Sequence, residues 1–351
     1  MKTLKVTLKQ HTPLIHFQHD QYGATLRASE VKPKLDRYIL TKLGKGDYET
    51  GRDVAKEKGW LVGKGIHPAL DFKLQVRVKD AIDISLQNKL NRERKHTTED
   101  FPLLLANMGG RDSEEELVNF SMYKTVYLEI FSLKDDLCDK IKNYIPFFIA
   151  KTNFGQRSNK GFGSFTVTLM EDDKGKISVN TLGDDPYIIP ENTWYMDFPL
   201  NGNMYTLQGQ KCLFKIIDSF WNKLRKDVND DKSVKCMDIA STESYIKAMK
   251  VIPADDNIQR IPAPILFKPI SYEGGKRFSV YIMFDEDMLG KLKRQYAGRT
   301  SLDTTHTLNA STITSFSRID DFISGLIDSR YENWRVSVER GKNIFVEFYE
   351  Q

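Results

Sequence analysis

A glycine-rich segment that joins a helical pattern to a strand pattern constrains the fold of this chain more than any other feature. Residues 153–165 contain Gly155, Gly161 and Gly163, and an alternating apolar pattern begins at Phe165. Alternation with a period of two is typical of a half-buried strand. Glycine lacks a Cβ, so it tolerates positive φ and lets another molecule approach the backbone closely. A short glycine motif is more often a plain tight turn, and its surroundings therefore decide its meaning.

The apolar patterns on both sides of this segment indicate a defined order of elements. They predict strands at residues 3–9, 72–78, 126–130 and 164–170 and helices at residues 31–43 and 137–145. The order β-α-β-β-α-β is that of a ferredoxin-like fold. Residues 44–65 are rich in glycine and lysine and are expected to form an irregular loop. Ser132 and Asp135 are expected to start the second helix as a capping box, and Pro146 to end or kink it.

The second half of the chain carries patterns of the same kinds. They predict a helix at residues 213–224, a hairpin at 264–270 and 277–284, and terminal strands at 334–339 and 343–349. A chain of 351 residues is long enough for two domains, each with its own core. The sequence therefore predicts an α+β fold with two ferredoxin-like units, at residues 1–190 and 191–351. The first unit carries a helical insertion at residues 80–122.

Composition excludes several classes of function. The net charge of +4 is small, so any binding of an acidic polymer depends on local clusters of basic residues. The three cysteines are far apart, which predicts neither a disulfide framework nor a zinc site and favours the cytoplasm. No apolar run reaches the roughly 18 residues of a membrane span. Phosphate-loop, dinucleotide, nucleophile-elbow and metalloprotease motifs are missing from the sequence, so we expect no cofactor, no metal and no small-molecule substrate.

Basic residues gather at the start of the first predicted helix and in the glycine-rich segment. If these two places meet at one edge of the ferredoxin-like unit, they form a groove for a nucleic-acid backbone, with Tyr22 or Phe162 available to stack on a base. A solvated helix face is the alternative for the basic residues of the helix. The candidate RNA contacts are His16, His19, Arg27, Lys32, Lys34, Arg37, Gly155, Gln156, Arg157, Ser158, Lys160, Gly161, Phe162 and Gly163.

Three segments together resemble the RAMP proteins of CRISPR systems. They are Thr12-Pro13-Leu14 after the first strand, Leu26-Arg27 before the first helix, and the glycine motif from Gly155 to Gly163. The combination is most similar to the Cmr-type subunit at the head of type III-B effector complexes. Residues 263–268 are also similar to a strand of second RAMP units. The resemblance implies two ferredoxin-like units of the RRM and RAMP kind, with a glycine-rich loop that faces RNA.

The resemblance also implies a function and an alternative to it. The expected function is a non-catalytic RNA-binding subunit that contacts crRNA, target RNA or both in antiviral defence, and that docks on other RAMP subunits. The alternative is a metal-independent RAMP endoribonuclease that processes CRISPR transcripts, with His16 or His19 as the proton-transfer group. In those nucleases the glycine-rich loop usually lies near the carboxyl end. Here most of the second half follows it, which favours binding RNA over cutting it.

Overall fold

A computed structural model gives the fold of the chain. It describes residues 2–15, 25–63, 68–82, 122–177, 179, 193–199, 203–206, 208–214, 216–217, 265–272, 277–284, 334–335, 344–345 and 347–348. The expected features that lie outside the described residues include His16, His19, Tyr22 and nearly all of the insertion at residues 80–122.

The elements of the first half are strands β1 Lys2–Gln10, β2 Leu61–Val62, β3 Ala69–Leu70, β4 Lys73–Ile82, β5 Met122–Ser132, β6 Phe165–Asp172 and β7 Gly175–Ile177, with helices α1 Ala28–Leu43, α2 Tyr48–Glu57 and α3 Asp135–Lys151. Five strands form one sheet in the order β4-β5-β1-β6-β7, and every neighbouring pair is antiparallel. Without the short β7, this is the strand order of a ferredoxin-like sheet. The main strands and helices of the first half follow the predicted β-α-β-β-α-β order, with α2, β2 and β3 added between α1 and β4.

One face of this sheet is buried under the helices. Leu4, Val6 and Leu8 of β1 have no exposed surface and pack in one core with residues of α1 and α3. Burial of each such side chain stabilises the fold by about 1.5–3 kcal/mol relative to its exposed state. Trp60 closes the core at one side, where its indole nitrogen donates to Asp136 Oδ2 over 2.9 Å. The helix layer therefore packs on the sheet through apolar contacts, and hydrogen bonds such as the one from Trp60 add to them.

Helix α2 lies inside the segment that was expected to be an irregular loop, so that expectation is wrong. Asp47 begins the helix, since its side chain accepts a hydrogen bond of 2.7 Å from the Thr50 amide. Only Gly51 and Ala55 of this helix are buried. A helix with so few apolar residues gives a weak periodic signal, and its cap is the clearer indication of where it starts.

Helix α3 differs from the sequence expectation at both ends. Its N-cap is Lys134, which makes no side-chain cap, and the Ser132 hydroxyl instead accepts from the Lys134 amide over 3.0 Å. The predicted capping box is therefore wrong. Pro146 lies inside the helix, which continues to Lys151. Apolar packing of Ile145, Phe148 and Ile149 against the sheet keeps the helix intact beyond the proline.

The described strands of the second half are β8 Thr193–Pro199, β9 Ile265–Tyr272, β10 Arg277–Phe284, β11 Trp334–Arg335, β12 Ile344–Phe345 and β13 Glu347–Phe348. Strands β9 and β10 pair antiparallel, which confirms the predicted hairpin. A four-stranded sheet has the order β12-β8-β10-β9, with β12 parallel to β8. Residues 208–214 and 216–217 are helical, so the described helix starts before the predicted range of 213–224 and overlaps only its beginning. A complete second ferredoxin-like unit and a boundary near residue 190 remain predictions.

In the described part of the chain, no helix has both the length and the apolar character that a membrane crossing requires.

Candidate functional site

The glycine-rich loop has a backbone that few residues other than glycine adopt. The φ angles of Gly155, Gly161 and Gly163 are +79°, +96° and +64°. Arg157 is also left-handed, with a φ of 54°, and it precedes a single turn of 3-10 helix at Ser158–Lys160. This conformation costs an ordinary residue about 1–2 kcal/mol, so the three glycines are needed for the path of the chain.

Close contacts within the protein add a second requirement for glycine. A Cβ on Gly163 would lie 1.9 Å from the carbonyl oxygen of Phe154, and one on Gly155 would lie 2.6 Å from that of Ile15. A Cβ on Gly161 would meet the ring of Pro269 at 2.9 Å. All three glycines are therefore crowded by the chain itself, which is a structural reason for the motif beside any role in binding.

Residues just beyond β1 hold the loop in place. The amide of Gly163 donates to the carbonyl of Pro13 over 2.9 Å, and the amide of Gln156 donates to that of Ile15 over 2.8 Å. The Thr12 hydroxyl donates to the Gly161 carbonyl over 2.6 Å and accepts from the Ser164 amide over 2.9 Å. The Thr12-Pro13-Leu14 segment and the glycine motif, which are far apart in sequence, thus form one structural unit.

The start of α1 meets the same loop. Glu30 Oε1 accepts a hydrogen bond of 2.7 Å from the Gly155 amide and one of 2.9 Å from Lys34 Nζ. Lys34 Nζ also lies 5.1 Å from the centre of the Phe154 ring. Arg27 is exposed at the N-cap of the helix. The expected convergence of the helix start and the loop at one edge of the unit is confirmed.

Two of the predicted basic residues lie away from this edge. Lys32 Nζ pairs with Asp36 Oδ2 at 2.7 Å and donates to the Leu70 carbonyl over 3.0 Å. Arg37 lies over the ring of Tyr48 in α2, 5.4 Å from its centre. Burial raises the pKa of Asp36, and the Lys32 ammonium opposes that shift. The structure therefore brings Lys34 to the loop, while Lys32 contacts Leu70 of β3 and Arg37 contacts Tyr48 of α2.

The side of the loop opposite α1 packs on the second half of the chain. Asn153 Nδ2 donates to the Phe267 carbonyl, and the Ser164 hydroxyl donates to the Pro269 carbonyl, each over 2.7 Å. The ring of Phe162 is fully buried and stacks on Phe214, with 3.9 Å between centroids and 11° between planes. This corrects the expectation that Phe162 would offer its ring to a base, since Phe214 already covers one face of it.

Two buried polar residues that the sequence analysis did not identify lie at the same junction. Lys268 is fully buried, and its ammonium donates to the carbonyls of Ile149 and Thr152 at the end of α3, each over 2.7 Å. Burial lowers the pKa of Lys268 well below its usual value. A single lysine inside the apolar run of residues 265–270 is the sequence signal that could have pointed to it.

His11 joins the two sheets through both of its ring nitrogens. The Ser271 amide donates to His11 Nδ1 over 3.0 Å, so the ring proton lies on Nε2, which donates to the Thr166 hydroxyl over 2.7 Å. Burial, followed by the charges of Lys9 and Lys268, lowers the pKa of His11 well below 6.5. The imidazole is therefore neutral near neutral pH and has no exposed surface of note.

The loop cations are only partly accessible. Arg157 is half-buried, and burial lowers the pKa of its guanidinium, although it remains protonated near neutral pH. The nitrogen of the Lys160 ammonium is buried, whereas Gln156 and Ser158 keep part of their surface exposed. The loop therefore offers the guanidinium of Arg157 and the polar groups of Gln156 and Ser158 as donors to an anion. In the described part of the chain it shows no cluster of three or more residues that could hold a metal.

The chain matches one family model, described as the Cmr1 N-terminal domain, over residues 1–227. No curated protein matches it significantly. Among solved structures it is similar to Cmr1 from Pyrococcus furiosus in its apo form, with 12% identity, a TM-score of 0.43 and coverage of 93% of this chain and 97% of that chain. It is also similar to a chain of the type III-B Cmr-beta complex bound to cognate target RNA and AMPPnP, with 11% identity, a TM-score of 0.44 and coverage of 80% and 94%.

Proposed function

The chain belongs to the Cmr1 family, the Cmr-type RAMP proteins of type III-B CRISPR systems, and from this premise we propose that it is a non-catalytic RNA-binding subunit of the effector complex. It contacts crRNA, target RNA or both, and it docks on the other RAMP subunits of that complex. The structural neighbours include subunits of a Cmr-beta complex bound to cognate target RNA, which agrees with both kinds of partner.

The proposed position of the RNA follows from the contact between the start of α1 and the glycine-rich loop. Glu30 joins the start of α1 to the loop by accepting from the Gly155 amide and the Lys34 ammonium. Arg27 is the exposed N-cap residue of α1, and Arg157 lies in the loop directly before its 3-10 turn. Two guanidinium groups at one edge suit a phosphate backbone, because each can donate two parallel hydrogen bonds to phosphate oxygens.

The proposal includes a second ferredoxin-like unit. In the four-stranded sheet of the second half, the strands taken in chain order are β8, β9, β10 and β12, and they lie in the order β12-β8-β10-β9. This places the last strand beside the first and the third beside the second, as in the first sheet. The parallel pairing of β12 with β8 departs from the antiparallel pairing of a regular unit.

The contacts of His11 exclude this residue as a proton-transfer group. It is the one histidine among the described residues, and its two ring nitrogens are occupied by Ser271 and Thr166, whereas His16 and His19 lie outside the described residues. A buried neutral imidazole with both nitrogens engaged cannot exchange a proton with a substrate. Cleavage of a repeat-containing RNA by the purified chain in EDTA, lost in His16→Ala or His19→Ala, would instead establish the endoribonuclease.

Substitution of the two guanidinium groups tests the RNA contact. In the reconstituted complex, the double variant Arg27→Ala/Arg157→Ala should bind RNA more weakly, and the slope of log K against log salt should fall by roughly 0.7 for each lost phosphate contact. The matched control is Lys56→Ala, an exposed cation on α2. An unchanged affinity and salt slope in the double variant, with complete assembly of the complex, would refute the proposed site.

A further inference from the structure

The face of the first sheet that points away from the helices has a side-chain pattern of its own. On β1, β4 and β5 the odd-numbered residues lie on this open face, because the even-numbered ones are packed in the core. The strand register places Tyr127 between Thr7 and Arg77, and Phe131 between Thr3 and Lys73. Aromatic residues therefore occupy the central strand of this face, with a cation beside each on the edge strand.

Both aromatic side chains keep part of their surface exposed. Tyr127 and Phe131 are each of intermediate burial, although the face carries no helix of the described part of the chain. They are four residues apart on one strand, which is about 13 Å at 3.3 Å per residue. Because stacked bases are only about 3.4 Å apart, each ring is far enough from the other to take a base of its own.

The charges on the open face are mainly positive. Its available cations are Lys5, Lys73, Arg77 and Lys79, and its acids are Glu129 and Glu171, whereas the Lys9 ammonium donates to the Ser271 carbonyl of the second half over 3.0 Å. Arg77 bonds to Glu129 at 3.1 Å, yet its side chain is 66% exposed and keeps donors for another partner. Lys5 Nζ lies 4.7 Å from the centre of the Tyr127 ring. The two rings on β5 thus have cations on both neighbouring strands, β4 and β1. These positive charges complement the negative charge of a phosphate backbone.

We propose that this open face, defined by Lys5, Lys73, Arg77, Tyr127 and Phe131, binds unpaired RNA bases. Partly exposed rings on strand β5, with cations on the neighbouring strands β4 and β1, provide the stacking surface and the phosphate partners that single-stranded RNA requires. A base that stacks on Tyr127 displaces the Lys5 ammonium from the ring and leaves it beside the phosphate. The face takes unpaired bases rather than a duplex, in which the base surfaces are already stacked.

This site is separate from the loop. Phe131 lies opposite Thr3 and Tyr127 opposite Thr7 on β1, which is roughly 23 Å and 10 Å before the end of that strand at 3.3 Å per residue, whereas the loop is held by residues beyond that end. The inference shares its RNA ligand with the proposed function but none of its residues. Either one can therefore fail while the other stands.

The first test compares two probes on the full chain. One is a labelled single strand of about ten uridines, and the other is a ribose-phosphate strand of the same length without bases. The double variant Tyr127→Leu/Phe131→Leu should lose roughly 5- to 100-fold in affinity for the uridine strand and should bind the abasic strand as the wild type does. The control Tyr127→Phe keeps the ring and should retain wild-type affinity for both.

Two results would overturn the inference in this test. One is wild-type affinity of the double leucine variant for the uridine strand. The other is a wild-type chain that binds the two strands equally well. Thermal unfolding of each variant checks that the strand has kept its fold. The loop variant Arg27→Ala/Arg157→Ala, by contrast, should lose affinity for both strands, because its contacts are with phosphates.

If the isolated chain binds neither strand, crosslinking in the assembled complex decides. Guide and target RNAs that carry 4-thiouridine are irradiated in turn, and the crosslinked peptides are identified by mass spectrometry. A crosslink on the strand that contains Tyr127 and Phe131 supports the inference, and crosslinks that all lie elsewhere refute it. A double leucine variant that fails to enter the complex while RNA binding is unchanged would show that the face holds a protein partner instead.

Discussion

At the scale of a single residue, Gly163 combines a left-handed backbone with a contact that leaves no room for a side chain. Its φ is +64°, and a Cβ would lie 1.9 Å from the Phe154 carbonyl oxygen. Gly59 has nearly the same φ, +63°, but a Cβ there would meet nothing within 4 Å. A substitution at Gly59 therefore measures the cost of the left-handed backbone alone, whereas one at Gly163 measures that cost together with the steric clash.

We expect Gly59→Ala to lower the free energy of unfolding by about 1–2 kcal/mol, the cost of the left-handed conformation. Gly163→Ala should lower the free energy of unfolding by roughly 1–3 kcal/mol more than that, because the backbones of Gly163 and Phe154, at the two ends of the loop, must move apart. Urea unfolding of the two variants and the wild type measures the difference. Equal losses in the two variants would mean that the loop relaxes around the new methyl group.

The sequence predicted the glycines of this site correctly but not the neighbours that surround them. Glycine spacing indicates positive φ and close approach, whatever the approaching group is. The groups that approach Gly161 and Phe162 are Pro269 and Phe214, which lie far along the chain. No local pattern pairs residues at that separation. The sequence alone therefore cannot distinguish a phenylalanine that stacks on an RNA base from one that packs in the core.

At the scale of elements, the loop is a packed connection between the two sheets. The stacked rings of Phe162 and Phe214 are fully buried. Periodicity was sufficient to predict the strands and helices of the first unit, since their apolar faces repeat over many residues. It was insufficient for α2, which has two buried residues, and for Pro146, where tertiary packing outweighs the lost helical hydrogen bond.

Removal of the stacking ring should loosen the loop. Phe214→Ala is expected to lower the free energy of unfolding by about 3–5 kcal/mol, the usual cost of deleting a buried phenyl group. It should also speed hydrogen exchange at the Gly161 and Gly163 amides. Phe147→Ala removes the same group from a position that is 44% exposed and should cost less than about 1 kcal/mol. Unchanged exchange at the loop in Phe214→Ala would contradict a connection through these rings.

At the scale of the whole molecule, buried polar groups align the two sheets with each other. His11 bonds to Ser271 of the second sheet and to Thr166 of the first, and Lys268 reaches back to the end of α3. Apolar surfaces can slide over one another, whereas these hydrogen bonds hold only in one relative position. An unpaired buried partner would cost about 1–3 kcal/mol, so the junction has one favoured geometry.

The His11 contact makes stability sensitive to mild acid. Its pKa is lowered in the folded chain, so between pH 6.5 and that lower value the unfolded chain binds one more proton than the folded chain. Stability is therefore complete above about pH 6.5 and falls below it, by about 1.4 kcal/mol per pH unit. Urea unfolding between about pH 7 and pH 5.5 measures this slope.

The variant His11→Gln provides the control for acid sensitivity. Glutamine keeps one acceptor and one donor but does not titrate, and it leaves the other histidines unchanged. Its unfolding free energy should be lower than that of the wild type at neutral pH and should depend less on pH below 6.5. The same pH dependence in both proteins would assign the acid sensitivity to other groups.

The position of the loop between two distant parts of the chain has a consequence for synthesis on the ribosome. The first sheet is complete once β7 has emerged, but Phe214 and β9 follow only later in translation. At about 5–20 residues per second, the roughly 100 residues between the loop and β9 take on the order of 5–20 s to add. During that interval Phe162 and Asn153 have no partners from the second half. The loop is thus made early and packed late, and a nascent chain stalled in this interval exposes an aromatic ring to chaperones and to neighbouring chains.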